Sequence, residues 1–411
     1  MEKYYEFRYI ETSSVQSSPQ QIFDEREDQT TLLQFLQKQD RVILLGNPGV
    51  GKTTELRNLF DHIWEKIDET GEVPLSLNLK NFRKPHTIED LIRFPDWQTL
   101  SSIVFIFDGL DEIADIQDFI SELEIFMIKF SHLNFKFVLS CRTNIYEKYL
   151  IDITGFETVY LKSLTEVQIK NILKNKYDIT ILPEKLDKYY SNIQTPFNLD
   201  LFAKYYLENN SFPTSVKESW ELFINGEVEK AREVLLKRFQ ISRIEILKAL
   251  EEIAITNELM QQNIISEEDL FKILGSKGND IFQELPFIEK NSSQDSFVFR
   301  HKNYQEFFAA KYLSSLETNK ILNFIKADDL NKIKPTLFNT TTFLLNILDD
   351  EKFMVVKDWL FSNDIEILFY ADEDRLSSDF KNEIFENFYN EYCIEKTFWL
   401  SHNGRVNTNI L

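Results

Sequence analysis

Cysteine is nearly missing from this chain: two occur in 411 residues, Cys141 and Cys393. Two thiols so far apart offer neither a disulfide framework nor a zinc-type cluster. Glycine and proline are also scarce, ten of each, which argues against a linker-like or disordered chain. No apolar run approaches the ~20 residues that a membrane-spanning helix needs. The opening MEKYYEFRYIETSS has no apolar signal-peptide core. Positive charge is in deficit, with 46 Lys and Arg against 67 Asp and Glu, a formal net charge of -21. Such a surface repels nucleic-acid backbones and anionic membranes, and no Lys/Arg run marks a local exception. These absences predict a soluble, cytoplasmic chain with neither a membrane nor a nucleic acid as partner.

What is plentiful is apolar: 43% hydrophobic residues, 14% aromatic, 36 of them Phe. That supply can fill the cores of about two to four domains, the number the length suggests. Residues 1–20 read as a polar arm, and Gln21–Lys38 as a helix. Short β-rich runs follow at Val42–Leu45, Pro74–Leu79, Ile103–Phe107, Phe135–Ser140 and Thr158–Leu161. Helical patterns at Thr53–Lys66, Thr87–Ile92 and Ile116–Phe130 separate them. The alternation predicts a doubly wound α/β domain with a parallel sheet. Beyond Leu164 the strand signal fades. Helices are expected at Thr165–Lys174, Pro196–Glu208, Ser242–Thr256 and Ser266–Leu274. A hairpin is expected from Phe287–Glu289 and Ser296–Arg300 around Asn291-Ser292-Ser293-Gln294, then a helix at Asn303–Leu313. Helix pair plus hairpin reads as a winged helix. The plan is an arm and helix (1–40), an α/β P-loop NTPase domain (41–163), a small helical domain (164–215), a winged-helix domain (216–315) and an all-α C-terminal region (316–411).

One segment carries chemistry outright. Gly46-Asn47-Pro48-Gly49-Val50-Gly51-Lys52-Thr53 fits G-x-x-x-x-G-K-[ST], with a strand entering it and a helix leaving it. Glycines let backbone N–H groups curl around phosphate oxygens, and the helix N-terminus adds partial positive charge there. Lys52 would neutralise β- and γ-phosphates, and the Thr53 hydroxyl would ligate Mg²⁺, with Thr54 closing the motif. Ile103–Phe107 is a buried-strand pattern that ends in Asp108, a second Mg²⁺ ligand expected on the neighbouring strand. Asp111 and Glu112 just beyond are both candidates to activate water, and the sequence does not choose between them. Phe135–Ser140 leads to Arg142, placed to reach the γ-phosphate. The expected ligands are ATP or ADP with Mg²⁺.

The order of these motifs resembles the NACHT group of STAND signalling NTPases. Asp108-Gly109-Leu110-Asp111-Glu112 matches that group's small residue after the metal-binding Asp. Val73–Leu79 is similar to its second strand, and Ser140-Cys141-Arg142-Thr143 to its sensor segment. Thr195-Pro196-Phe197 resembles the motif whose proline packs near adenine, and Arg26-Glu27 the segment that precedes the P-loop. Phe299-Arg300-His301 and Glu306-Phe307-Phe308-Ala309-Ala310 are similar to its winged-helix signature. The resemblance implies that His301 contacts the β-phosphate of ADP in a closed state. It further implies slow hydrolysis, opening with self-association, and a role in bacterial defence against phage. A protein-remodelling ATPase and a nucleotide-dependent scaffold are the alternatives. About forty residues ahead of the P-loop are too few for an effector domain. That suggests a switch core with a separate effector, or a truncated chain; the trigger is not written in the sequence. Asn175-Lys176-Tyr177-Asp178 spells the guanine-reading N-K-x-D, but it ends a helical run and lacks a partner D-x-x-G, so adenine is expected. The aromatics of residues 360–400 read as helix-packing core.

Overall fold

A computed structural model describes residues 4–392, except 13–29, 48, 80–81, 83–84, 114–115, 149–152, 182–188, 214, 262, 276–277, 279–281, 283, 286, 292–295, 328–330 and 373–374. The chain forms two compact units. The first unit spans residues 1–181 with 194–197; the second spans 182–193 with 198–411.

The first unit is built on a six-stranded sheet: β1 (Ile10–Thr12), β2 (Arg41–Leu45), β3 (Glu72–Asn78), β4 (Ser102–Asp108), β5 (Asn134–Cys141) and β6 (Glu157–Leu161), in the order β1-β6-β2-β5-β4-β3. β2 to β6 run parallel, as the alternation predicts. β1 is antiparallel to β6, with Ile10 opposite Leu161. For residues 4–12 that corrects the reading of a polar arm over 1–20; residues 1–3 and 13–20 lie outside the described ones. Ile10 is a core residue and Arg8 is buried, so polar composition hid a segment that completes the sheet edge. The position expected for Asp108 also needs correcting. β5 lies between β2 and β4, so the Asp108 strand is one place removed from the P-loop strand.

Helices α1 (Leu32–Leu36), α2 (Lys52–Glu65), α3 (Ile67–Thr70), α4 (Ile88–Leu91), α5 (Ile116–Lys129), α6 (Thr143–Lys148) and α7 (Glu166–Tyr177) complete this unit. α1 is shorter than the expected Gln21–Lys38. Thr31 is extended and caps it, its hydroxyl accepting from the Gln34 N–H, and residues 21–29 lie outside the described ones. The strands alternate between two cores, as strands covered on both faces must. One face sets Ile43, Phe105, Phe107 and Leu139 against Phe119, Leu123 and Phe126 of α5. The other sets Val42, Leu44, Val104 and Val138 against Leu56, Leu59 and Ile63 of α2. Trp97 packs edge-on to Phe130 at 4.8 Å within the first core.

α8 (Pro196–Asn209) begins in the first unit and continues in the second. Next come α9 (Val216–Phe239), α10 (Arg243–Met260), β7 (Ile264–Ser266), α11 (Glu267–Leu274), β8 (Ile288–Asn291), β9 (Ser296–Phe299), α12 (Lys302–Ser314), α13 (Thr318–Ile325), α14 (Phe338–Ile347), α15 (Asp350–Asn363) and α16 (Ser378–Tyr392). β7, β9 and β8 form a small antiparallel sheet in that order. The expected hairpin is there, although its turn residues Ser292, Ser293 and Gln294 lie outside the described ones. Buried α12 is the centre of this unit, with Trp220 stacked on Phe307 at 4.6 Å. A buried polar network threads α10 and α12: Lys302 pairs with Glu258 at 2.8 Å, and Gln305 donates to Glu258 at 2.7 Å. The late aromatics pack as expected, Phe369 against Phe388 and Phe361 against Phe380. Among the described residues no helix is long and apolar enough to cross a membrane.

Candidate functional site

β2 delivers its chain directly into Gly46, and α2 starts at Lys52. Between them Gly49 has φ +75° and Gly51 φ +99°, the left-handed region that side chains resist. A Cβ at Gly46 would lie 2.7 Å from Val50 Cγ1. The loop is therefore held open by glycine where a phosphate would need the room. Asn47 accepts from the Val50 N–H at 3.2 Å, closing the turn. Pro48 lies outside the described residues. Lys52 Nζ donates to the Gly46 carbonyl at 2.7 Å, so the side chain folds back across the loop. Thr53 and Thr54 are exposed in the first turn of α2.

The acidic side of the site comes from β4. Asp108 Oδ1 accepts from Ser140 Oγ at 2.6 Å, and the same hydroxyl accepts from the Gly109 N–H at 2.8 Å. Ser140, on the intervening strand β5, thus fixes the Asp108 carboxylate across the strand insertion. Sequence reasoning saw Ser140 only as part of the sensor segment. Gly109 has φ +89°, and a Cβ there would meet Glu112 Cδ at 3.2 Å. The small residue after Asp108 is required because Glu112 folds over it. Asp111 faces the other way. Its Oδ1 accepts from the Arg142 N–H and its Oδ2 from Arg142 Nε, both at 2.9 Å, with both side chains largely buried.

These groups share one electrostatic environment. Burial pushes the Lys52 ammonium below its ordinary value; Asp111 raises it, Arg142 lowers it, and Cys141 and Asp108 raise it. The cationic form of Lys52 needs an anionic neighbour, which a phosphate supplies. Burial likewise pushes the Cys141 thiol well up, so it is an inert core group and not a nucleophile. One hydroxyl and one carboxylate near a phosphate cradle form a sparse donor set. That suits Mg²⁺, which keeps several waters and takes phosphate oxygens for the rest. The residues present therefore fit a magnesium nucleotide.

Pro196 also reaches this site, its Cγ 3.4 Å from a Cβ built on Gly51, and the Phe197 N–H points at the Gly49 carbonyl at 3.4 Å. His301 belongs to the second unit. It caps α12, its Nδ1 accepting from the Asn303 N–H at 3.1 Å, which places the proton of the neutral ring on Nε2. Arg26 and Glu27 lie outside the described residues. Asn175–Tyr177 closes α7, and Asp178 is its left-handed C-cap, so the N-K-x-D string is a helix end and no base-reading loop. Three residues that reasoning from motifs missed, Tyr5, Arg8 and Glu55, meet beside the loop. Arg8 donates to the Val50 carbonyl at 2.8 Å, and Tyr5 OH donates to Glu55. The β-rich string Tyr4–Thr12, with one arginine amid aromatics, was the available signal.

Residues 23–179 match the family described as novel STAND NTPase 3. No curated protein matches the sequence. Among solved structures, the chain is similar to the ORC1 protein of Aeropyrum pernix in complex with DNA. The two are 13% identical over 66% of this chain and 86% of that one, at TM-score 0.32. It is similar to the replication initiator DnaA bound to AMPPCP and single-stranded DNA, 11% identical over 88% and 91%, at TM-score 0.34. Another is the Thermotoga maritima RuvB Holliday junction branch migration motor, 16% identical over 65% and 86%, at TM-score 0.26. At TM-scores this low the likenesses carry no argument, and the glycine loop, the Asp108 strand and the family match stand without them. The match over residues 23–179 supports a STAND-type P-loop NTPase in that part of the chain.

Proposed function

We propose that this chain is a nucleotide-controlled switch. It binds ATP or ADP with Mg²⁺ on residues 46–54, hydrolyses ATP slowly, and changes its self-association with the phosphate count. Thr53 and Asp108 hold the metal, Asp108 kept in place by Ser140. Asp111 is a positioning residue, because both its oxygens are engaged by Arg142. Glu112 is then the acid that orients the attacking water. When bound, the magnesium nucleotide supplies the electrophilic γ-phosphorus and its charge shielding. Lys52 and the loop amides hold the phosphates, and Arg142 senses the terminal one.

The observation that carries this reading is the Asp111–Arg142 pair inside the electrostatic reach of Lys52. A γ-phosphate competes with Asp111 for the guanidinium. Its gain or loss therefore has a route into the end of β5 and α6. The resemblance adds the finer expectations: His301 on the β-phosphate of ADP, a winged helix around β7–β9, a NACHT-like cycle, and a cytoplasmic role in bacterial antiphage defence.

The test is Lys52→Ala, read by fluorescent-ADP titration and by phosphate release. Loss of a charge-assisted phosphate contact should weaken binding by at least about tenfold and abolish turnover. Unchanged binding of ADP and ATP by this variant would remove the phosphate cradle from the account.

A further inference from the structure

The segment ahead of the sheet does work that the nucleotide motif leaves undone. Arg8 is 5% exposed, and its guanidinium forks onto two backbone carbonyls: Nη1 onto Val50 at 2.8 Å and Nη2 onto Lys162. Val50 immediately precedes Gly51, the residue with φ +99° and ψ 23° at the mouth of α2. A trans peptide is planar, so the Val50 carbonyl and the Gly51 N–H point in opposite directions. Fixing the carbonyl on Arg8 fixes the N–H facing away from Arg8. Gly51 accepts either sign of φ, and no side chain caps the start of α2.

Arg8 is itself held firmly. β1 pairs with β6 just beyond it, and the Lys162 N–H donates to the Tyr9 carbonyl at 3.0 Å. Gln168 Nε2 donates to the Phe7 carbonyl at 2.6 Å, while its Oε1 closes the capping box of α7. Tyr5 ties the segment to Glu55 on α2. Residues 4–12 are thus a strap across the loop, with one cation placed on the peptide that a glycine loop is most free to flip.

We infer that Arg8 is a positioning residue of the phosphate loop: by gripping the Val50 carbonyl it keeps the Gly51 amide turned toward the phosphates. This rests on the reading of residues 46–54 as a phosphate cradle. It is a contribution from outside the motif, supplied by a side chain 38 positions before Gly46.

The experiment compares Arg8→Gln, Arg8→Lys, Tyr5→Phe and Lys52→Ala in the full chain. Binding of fluorescent ADP and of adenosine is measured, with circular dichroism and nucleotide-free melting as controls. Losing a charged hydrogen bond at the loop should weaken ADP binding in Arg8→Gln by about tenfold or more, with adenosine binding within about twofold of the parent. Arg8→Lys keeps a cation for the Val50 carbonyl and should recover much of the ADP affinity, so an unfolded Arg8→Gln does not end the test. Tyr5→Phe loosens the strap but leaves the Val50 contact, and its ADP affinity should stay within about twofold. Equal weakening by Tyr5→Phe overturns the inference, since the strap would then act only as packing. So does unchanged ADP affinity in both Arg8 variants while Lys52→Ala is weakened. If Lys52→Ala also binds normally, the cradle reading itself has failed.

Discussion

Asp111 and Glu112 are adjacent in sequence and opposite in surroundings. Asp111 offers its two oxygens to Arg142; Glu112 lies over Gly109, at the end of the strand that carries Asp108. The two substitutions should therefore separate. Glu112→Gln is expected to lower single-turnover hydrolysis by about a hundredfold or more, the scale of a lost general base, with ADP affinity close to normal. Asp111→Asn keeps one acceptor for Arg142 but loses the charge. It should cost stability first, by about 1–3 kcal/mol for a weakened charged hydrogen bond in a buried place, and hydrolysis through a displaced Arg142. Parallel melting curves and phosphate-release assays on the two variants check this. The opposite pattern, with Asp111→Asn stable but inactive and Glu112→Gln fully active, would exchange the two roles.

At the scale of the element, the second unit explains why a motif can be informative for more than one reason. Glu306, Phe307, Phe308, Ala309 and Ala310 are all at most 1% exposed. Two small residues in sequence let the neighbouring helices α10 and α14 approach α12 closely, and Phe307 stacks on Trp220. The string therefore reports a buried helix, whatever His301 does at its cap. Phe307→Ala should destabilise the second unit by about 3–5 kcal/mol, the cost of emptying an aromatic site in a packed core; urea titration reads it directly. The parallel strands and most helices were legible because period and caps are local: Thr165, Ser242 and Ser266 each cap the helix expected after them. The glycine loop and the Asp108 strand were legible because phosphate chemistry restricts residue type and spacing. The strand insertion of β5, the bridging role of Ser140 and the Arg8 strap were not. They depend on pairings between residues far apart, such as Ile10 with Leu161, which no local pattern encodes.

For the whole molecule, nucleotide is expected to stabilise first the unit that carries residues 46–54. Ligand that binds one folded unit raises that unit's stability by about 2.7 kcal/mol at a hundred times its Kd. Calorimetry with Mg²⁺ and ADP should show the transition of the unit containing β1–β6 moving upward. A second transition that also moves, and stops moving in His301→Ala, is the outcome the switch proposal expects. No movement of either transition would sink nucleotide binding altogether. The pairing of β1 with β6 also sets a timetable for the newborn chain. Residues 4–12 leave the ribosome ahead of the other strands, and their hydrogen-bond partner, centred on Val159 to Leu161, is synthesised roughly 8–30 s later at ordinary elongation speed. Until then Lys162 cannot share Arg8 with Val50, and the loop exists without its brace. On the proposed role of Arg8, full competence for nucleotide would arrive only after the last parallel strand is made, rather than when the glycine motif itself emerges.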